Sequence, residues 1–159
     1  METLPQQSEL DSAWKNSLRI WQAGFGFLPL SFVFAFVLQP LKGQVVNENS
    51  SSAWLGYLIY ALLGVAALNL LLVPLFRRAI LKPDKTGQQS AARKYIRATS
   101  LTTSLLEGIG MYGVIAFILT GKTFALPLFL GIAVAGMFLF KPNKDILLDL
   151  DRQTQGTVG

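Results

Sequence analysis

Four long stretches of this chain are nearly free of charge, and they restrict its fold more than any other feature. Ile20–Leu41 has no charged residue in 22, Asn49–Phe76 none in 28 and Thr123–Phe140 none in 18, while Ala98–Gly121 has one, Glu107, in 24. About 20 apolar residues span a hydrocarbon core of about 30 Å. Backbone polar groups inside lipid must bond within their own segment, which makes such stretches helices. A soluble bundle would show a polar stripe on each helix, and three of these four have almost none.

The expectation is an all-α integral membrane four-helix bundle in a single transmembrane domain, residues 1–159. Its crossings are placed at 18–38, 54–76, 99–120 and 123–140, with a polar loop 77–98 and a tail 141–159. The first stretch is longer than the 7–15 apolar residues of a signal-peptide core and no small-x-small cleavage site follows it, so it is expected to stay.

Orientation follows from the basic residues. Lys15 and Arg19 precede the first crossing, and Arg77, Arg78, Lys82, Lys85, Arg93, Lys94 and Arg97 fill the central loop. Lys141, Lys144 and Arg152 are in the tail, leaving Lys42 and Lys122 for the other side. This is a strong positive-inside pattern, placing both termini in the cytoplasm. It accounts for the basic balance through membrane topology and anionic headgroups, with no nucleic-acid partner. The chain has no Cys and no His. That removes disulfides, thiolate or imidazole metal sites and His-based acid–base chemistry. No cofactor, metal or enzymatic activity is expected.

Residues 1–12 read as a mobile polar segment, with Asp11 or Ser12 capping an interfacial start and Trp14 and Trp21 at headgroup level. Pro29 bends the first helix and Pro40 closes it. Phe25, Phe27, Phe32, Phe34 and Phe36 supply bulk facing lipid or other helices. Asn49-Ser50-Ser51 fits the glycosylation acceptor pattern. Trp54, Tyr57 and Tyr60 form an aromatic belt opening the second helix. Residues 82–87 form a turn, and Ala91, Ala92, Tyr95 and Ile96 mark an amphipathic lead-in to the third helix. Gly121-Lys122 is a tight hairpin into the fourth helix, which contains Pro127. Gly108, Gly110, Gly113, Gly131, Ala135 and Gly136 suit close helix packing. Asn143 caps a short tail helix with Ile146, Leu147 and Leu150 on one face, to be covered by lipid or a partner.

Glu107 is the exception in an apolar interior. A mid-membrane carboxylate costs about 2.5–3.5 kcal/mol on insertion scales. Glu107 lies ten residues beyond Arg97, about 15 Å along a helix, and Asn69 lies about 12 Å from the same surface on the antiparallel neighbour. A hydrogen bond between them is therefore predicted. Thr103, one turn earlier, and Tyr112 complete a candidate ion- or proton-binding set. Arg77, Arg78, Arg93, Lys94 and Arg97 form a candidate docking surface for anionic lipid headgroups or an acidic partner.

Leu105–Leu119, LLEGIGMYGVIAFIL, resembles the ion-binding helix of rotary ATPase c subunits. There a carboxylate is followed at the fifth and sixth positions by Tyr and Gly and then by branched apolar residues, here Glu107, Tyr112, Gly113, Val114 and Ile115. The resemblance implies that Glu107 is the ion-carrying carboxylate. It covers those 15 residues. The Gly-x-Gly-x-Gly repeat of the c-subunit partner helix is absent from the second crossing, which has only Gly56 and Gly64. The whole plan is similar to small bacterial four-helix inner-membrane proteins, a likeness that brings no activity with it.

The expected role is a small accessory or scaffold subunit of a bacterial inner membrane. It packs with larger membrane-protein subunits of an energy-converting complex, or with copies of itself. The alternative is an oligomeric subunit that translocates a proton or cation through Glu107.

Overall fold

A computed structural model describes residues 4–38, 52–82 and 90–156, and every element in them is helical. The helices are α1 (Leu4–Val37), α2 (Ser52–Ile80), α3 (Ala91–Thr120), α4 (Ala125–Leu139) and α5 (Lys144–Gly156). Pro40, Lys42, Asn49-Ser50-Ser51, Lys85 and the rest of the expected turn after Lys82 lie outside the described residues. By length and composition α1, α2 and α3 can each cross a membrane. A fourth span exists only if α4 and α5, bent by 50° at their break, count as one. The segment predicted at 123–140 contains a helix of 15 residues, about 22 Å long. Phe124 and Phe140 flank it instead of continuing it.

α1 departs most from expectation. It runs for 34 residues, about 51 Å, well beyond a hydrocarbon core. The segment expected to be mobile is helical from Leu4, and Leu10 and Ala13 are buried. The inner face of α1 is a stripe of Leu10, Ala13, Ser17, Gly24, Leu28, Ser31 and Ala35. Their spacing, in steps of three, four or seven, keeps one seam of the helix against a neighbour. Most are small, so α1 and α3 approach closely. The helix is continuous through Pro29. Nearby, the Ser31 hydroxyl donates to the Phe27 carbonyl at 3.0 Å.

α3 is the central helix and packs against all four others. It starts where Ser90, in extended conformation, accepts a hydrogen bond from the Arg93 N–H at 3.5 Å. It ends at Gly121, whose φ of 67° is the left-handed conformation glycine adopts without steric cost. The Gly121 N–H closes the helix on the Phe117 carbonyl, and the chain turns into α4 as the hairpin expected from sequence. Three of the small residues permit the α3 contacts. A β-carbon on Gly113 would stand 2.9 Å from that of Phe129, and those on Gly110 and Gly136 would strike Leu28 and Leu106. Gly108 and Gly131 face open space and Ala135 is exposed, so these three do not pack as expected.

α2 extends through Ile80, so Arg77 and Arg78 form its last turn instead of opening a loop at residue 77. With α3 starting at Ala91, residues 77–80 and 91–98 of the expected loop are helical. α2 leaves Trp54, Tyr57 and Tyr60 exposed, followed by Val65, Leu68, Leu71 and Leu75. α1 is equally apolar outside, with Phe27, Phe32, Phe34 and Phe36 all exposed, while Phe25 packs against Trp21 and Phe138.

The starts of α1 and α3, the ends of α2 and α4, and α5 meet at one end of the molecule. A small core there joins Leu10, Ala13, Ala92, Tyr95 and Leu147, flanked by Trp14 and Leu81. α5 is capped as expected, with the Asn143 side-chain oxygen accepting from the Asp145 N–H at 2.9 Å. Its apolar face is covered by the chain itself instead of by lipid or a partner. Leu147 and Leu150 are buried, while Ile146 is exposed. Every described basic residue except Lys122 is on this end.

Candidate functional site

Glu107 faces α1, not α2. A β-carbon at Gly24 would stand 2.7 Å from Glu107 Oε1 and would overlap the Thr103 methyl group. The missing side chain at Gly24 therefore makes the space that the carboxyl and Thr103 occupy. Met137 of α4 closes the same space, its methyl carbon 3.2 Å from that β-carbon position. Thr103 is buried and Glu107 half-buried. One turn before Gly24, the Trp21 indole N–H donates to the Met137 carbonyl at 3.0 Å. That carbonyl is in the last turn of α4, where no helical N–H is available to it. Trp21 thus ties α1 to α4 beside the carboxyl, and the Lys141 ammonium sits 5.9 Å from its ring centroid. Trp14 likewise turns inward, to the core at the α1 start.

The predicted Asn69–Glu107 bond is not made. Asn69 Nδ2 donates instead to the Tyr112 hydroxyl at 3.1 Å. Tyr112 is five residues after Glu107, or about 140° around the helix, so the two address different neighbours. An aromatic side chain also leans toward the start of its own helix, which returns the phenol to the depth of Asn69. The four-residue set from sequence is thus two separate pairs. Glu107 and Thr103 lie on the α1 seam, and Asn69 and Tyr112 on the α2 seam. Among the described residues no cluster of three or more metal-ligating side chains surrounds Glu107. A single carboxyl beside one hydroxyl can exchange a proton or bond a neighbouring helix.

The basic docking set also divides. Arg77 donates to the Phe140 carbonyl at 3.2 Å, and the buried Lys94 donates to the Lys82 carbonyl at 3.1 Å. Both serve to satisfy carbonyls at helix ends. Arg78, Arg93 and Arg97 are exposed and remain as docking candidates.

A polar clasp that the sequence reading did not foresee holds α5. The Tyr95 hydroxyl donates to the Asn143 carbonyl at 2.8 Å and accepts from the Asn143 N–H at 2.7 Å. Burial pushes the Tyr95 phenol above its usual pKa, against the opposing pull of the Asn143 bond and the Arg77 charge. Outside it, Lys144 pairs with Asp11 at 2.9 Å, and that hydrogen bond and charge hold Asp11 below the usual carboxylate range. A signal for this clasp existed, since Leu10, in the segment read as mobile, continues with Ala13, Trp14 and Ser17 at helical spacing. Gly24 had a weaker signal, as the small residue on the same stripe. Comparison with protein-family models, with curated proteins and with solved structures finds no match to this chain.

Proposed function

We propose that the chain is an integral membrane protein with cytoplasmic termini, acting as a small accessory or scaffold subunit in a bacterial inner membrane. The observation that carries the reading is the apolar exterior of α1 and α2. Large apolar groups such as Phe32, Phe34, Phe36, Leu68 and Leu71 are outside, while Gly24, Ser31, Ala35, Ala66 and Ala133 are inside. In water that exterior is a large aggregation surface, whereas in a bilayer it needs no further cover. The eleven described basic residues at the α5 end then fall on the cytoplasmic side with it. α2 supports the scaffold role, since it packs mainly on α3 and presents its remaining faces laterally to larger membrane partners of an energy-converting complex.

The test is isolation from native membranes in mild detergent, with the co-purifying subunits identified for wild type and Glu107→Gln. A defined complex that survives the substitution supports the scaffold. The second reading, proton or cation translocation by an oligomer, is favoured by the half-buried Glu107 carboxyl, for which no hydrogen-bond partner is seen among the described residues. A homo-oligomer that conducts in vesicles, and stops conducting with Glu107→Gln while staying assembled, would replace the first reading with the second.

A further inference from the structure

The exposed Arg93 and Arg97 have a groove beneath them. Between the end of α2 and the start of α3 lies a cleft of about 740 Å³, walled by Phe76 and Ile80 on one side and by Arg93, Arg97, Ser100 and Ser104 on the other. The α3 residues are spaced four, three and four apart, so they form one face of the helix. They span about 16 Å along it, roughly half the thickness of a hydrocarbon core. Charge lies at one end of this face and hydroxyls lie along it toward the apolar middle. Arg77 and Lys94 donate to carbonyls, but neither Arg93 nor Arg97 is ion-paired among the described residues.

We propose that this groove is a binding site for one anionic phospholipid of the cytoplasmic leaflet. The phosphodiester lies across Arg93 and Arg97, whose planar donors match phosphate oxygens. Ser100 donates to the glycerol ester region, and one acyl chain runs along Phe76 and Ile80 past Ser104. The charge complementarity selects an acidic headgroup, and the apolar wall requires the attached chain. The assignment rests on the membrane reading above, which places this end of α3 at headgroup depth.

The experiment uses the full chain in mild detergent and native mass spectrometry, with dioleoyl phosphatidylglycerol and dioleoyl phosphatidylcholine as probes. Wild type is expected to retain one phosphatidylglycerol in preference to phosphatidylcholine. The double variant Arg93→Gln/Arg97→Gln should weaken that binding roughly thirtyfold, from about fivefold per headgroup-level arginine. Lys15→Gln/Arg19→Gln removes the same charge elsewhere at this end and should leave binding within about twofold. Leu101→Trp keeps both arginines and fills the groove that Leu101 also lines, so it should weaken binding as well. Retention by the arginine double variant, or equal loss in the control pair, would overturn the site. Displacement of the lipid by millimolar inorganic phosphate would reassign it as a free-anion site and also overturn the proposal. Carbonate washing of the source membranes separates the two readings. Protein lost to the wash removes the membrane reading and the lipid site together. Protein that stays but shows no lipid preference removes the lipid site alone.

Discussion

Tyr95→Phe removes a single oxygen atom from the core that holds α5. The ring is fully buried and remains, so no cavity opens. Lost are the bond donated to the Asn143 carbonyl at 2.8 Å and the bond accepted from its N–H at 2.7 Å. At a net 0.5–1.5 kcal/mol each, the pair contributes about 1–3 kcal/mol. Asn143 itself is exposed, so water can reach its freed groups, which favours the lower half of that range. A 13-residue helix is marginal alone, so α5 protection reports this clasp directly. Amide exchange across α5 should accelerate roughly fivefold to hundredfold, while exchange near the middle of α3 stays as in wild type. Unchanged α5 exchange would refute the clasp. Equal acceleration in α3 would refute its local character. The pH dependence has a definite sign. The folded pKa of Tyr95 is raised above its ordinary 10.0, so its contribution is complete below pH 10 and is lost as pH rises through the folded value. Asp11 is depressed from 3.8, so its contribution is present above that pH and is lost on acidification through the folded value. α5 should therefore loosen at both extremes, and wild-type exchange corrected for intrinsic rates tests this.

At Gly24, alanine would overlap the stiff Thr103 methyl group and should cost about 1–3 kcal/mol in detergent unfolding titrations. Thr103→Ser removes that methyl and should restore most of the loss, so a failed rescue would refute the assigned contact. A double-mutant cycle of Asn69→Leu and Tyr112→Phe should give a coupling of about 0.6 kcal/mol, the average for polar pairs between membrane helices. Zero coupling there, with coupling between Asn69 and Glu107 instead, would reverse the seam assignment. Ser17 is fully buried and its hydroxyl has no hydrogen-bond partner among the described residues. Ser17→Ala should therefore be neutral or stabilising by up to about 1 kcal/mol, and a clear fall in unfolding midpoint would show that the hydroxyl is satisfied in the folded protein.

The helices were legible because hydropathy averages over some 20 residues, and an error at one position hardly moves the result. The hairpin at Gly121 was legible because a glycine between two apolar runs has one ready use. The neighbour of Glu107 was not legible. Depth along a helix follows from counting residues, but azimuth depends on which neighbour occupies each side, and four helices pack on α3. Equal depth made Asn69 look like its partner, whereas the 140° between Glu107 and Tyr112 gives Asn69 to the tyrosine. Segment polarity misled at the start of α1 for a related reason. Residues 7–17 are hydrophilic on average, yet the few apolar ones share the face that α3 and α5 cover.

The two polar features of the bundle are consequences of one arrangement. Small residues along α1 allow it to lie against α3 from Leu10 to Ala35, and the same contact that makes a space at Gly24 for Glu107 extends down to the core around Tyr95. Because α1 is longer than a hydrocarbon core is thick, its first turns reach α5, where Leu10 joins that core and Asp11 pairs with Lys144 outside it. The exposed arginines follow from the same packing. Once Tyr95 and Lys94 point inward to α5 and Lys82, the helical repeat directs Arg93 and Arg97 outward, one turn apart on a single face. The basic charge at the α5 end is therefore divided by helix geometry into residues that close the bundle and residues that meet its surroundings.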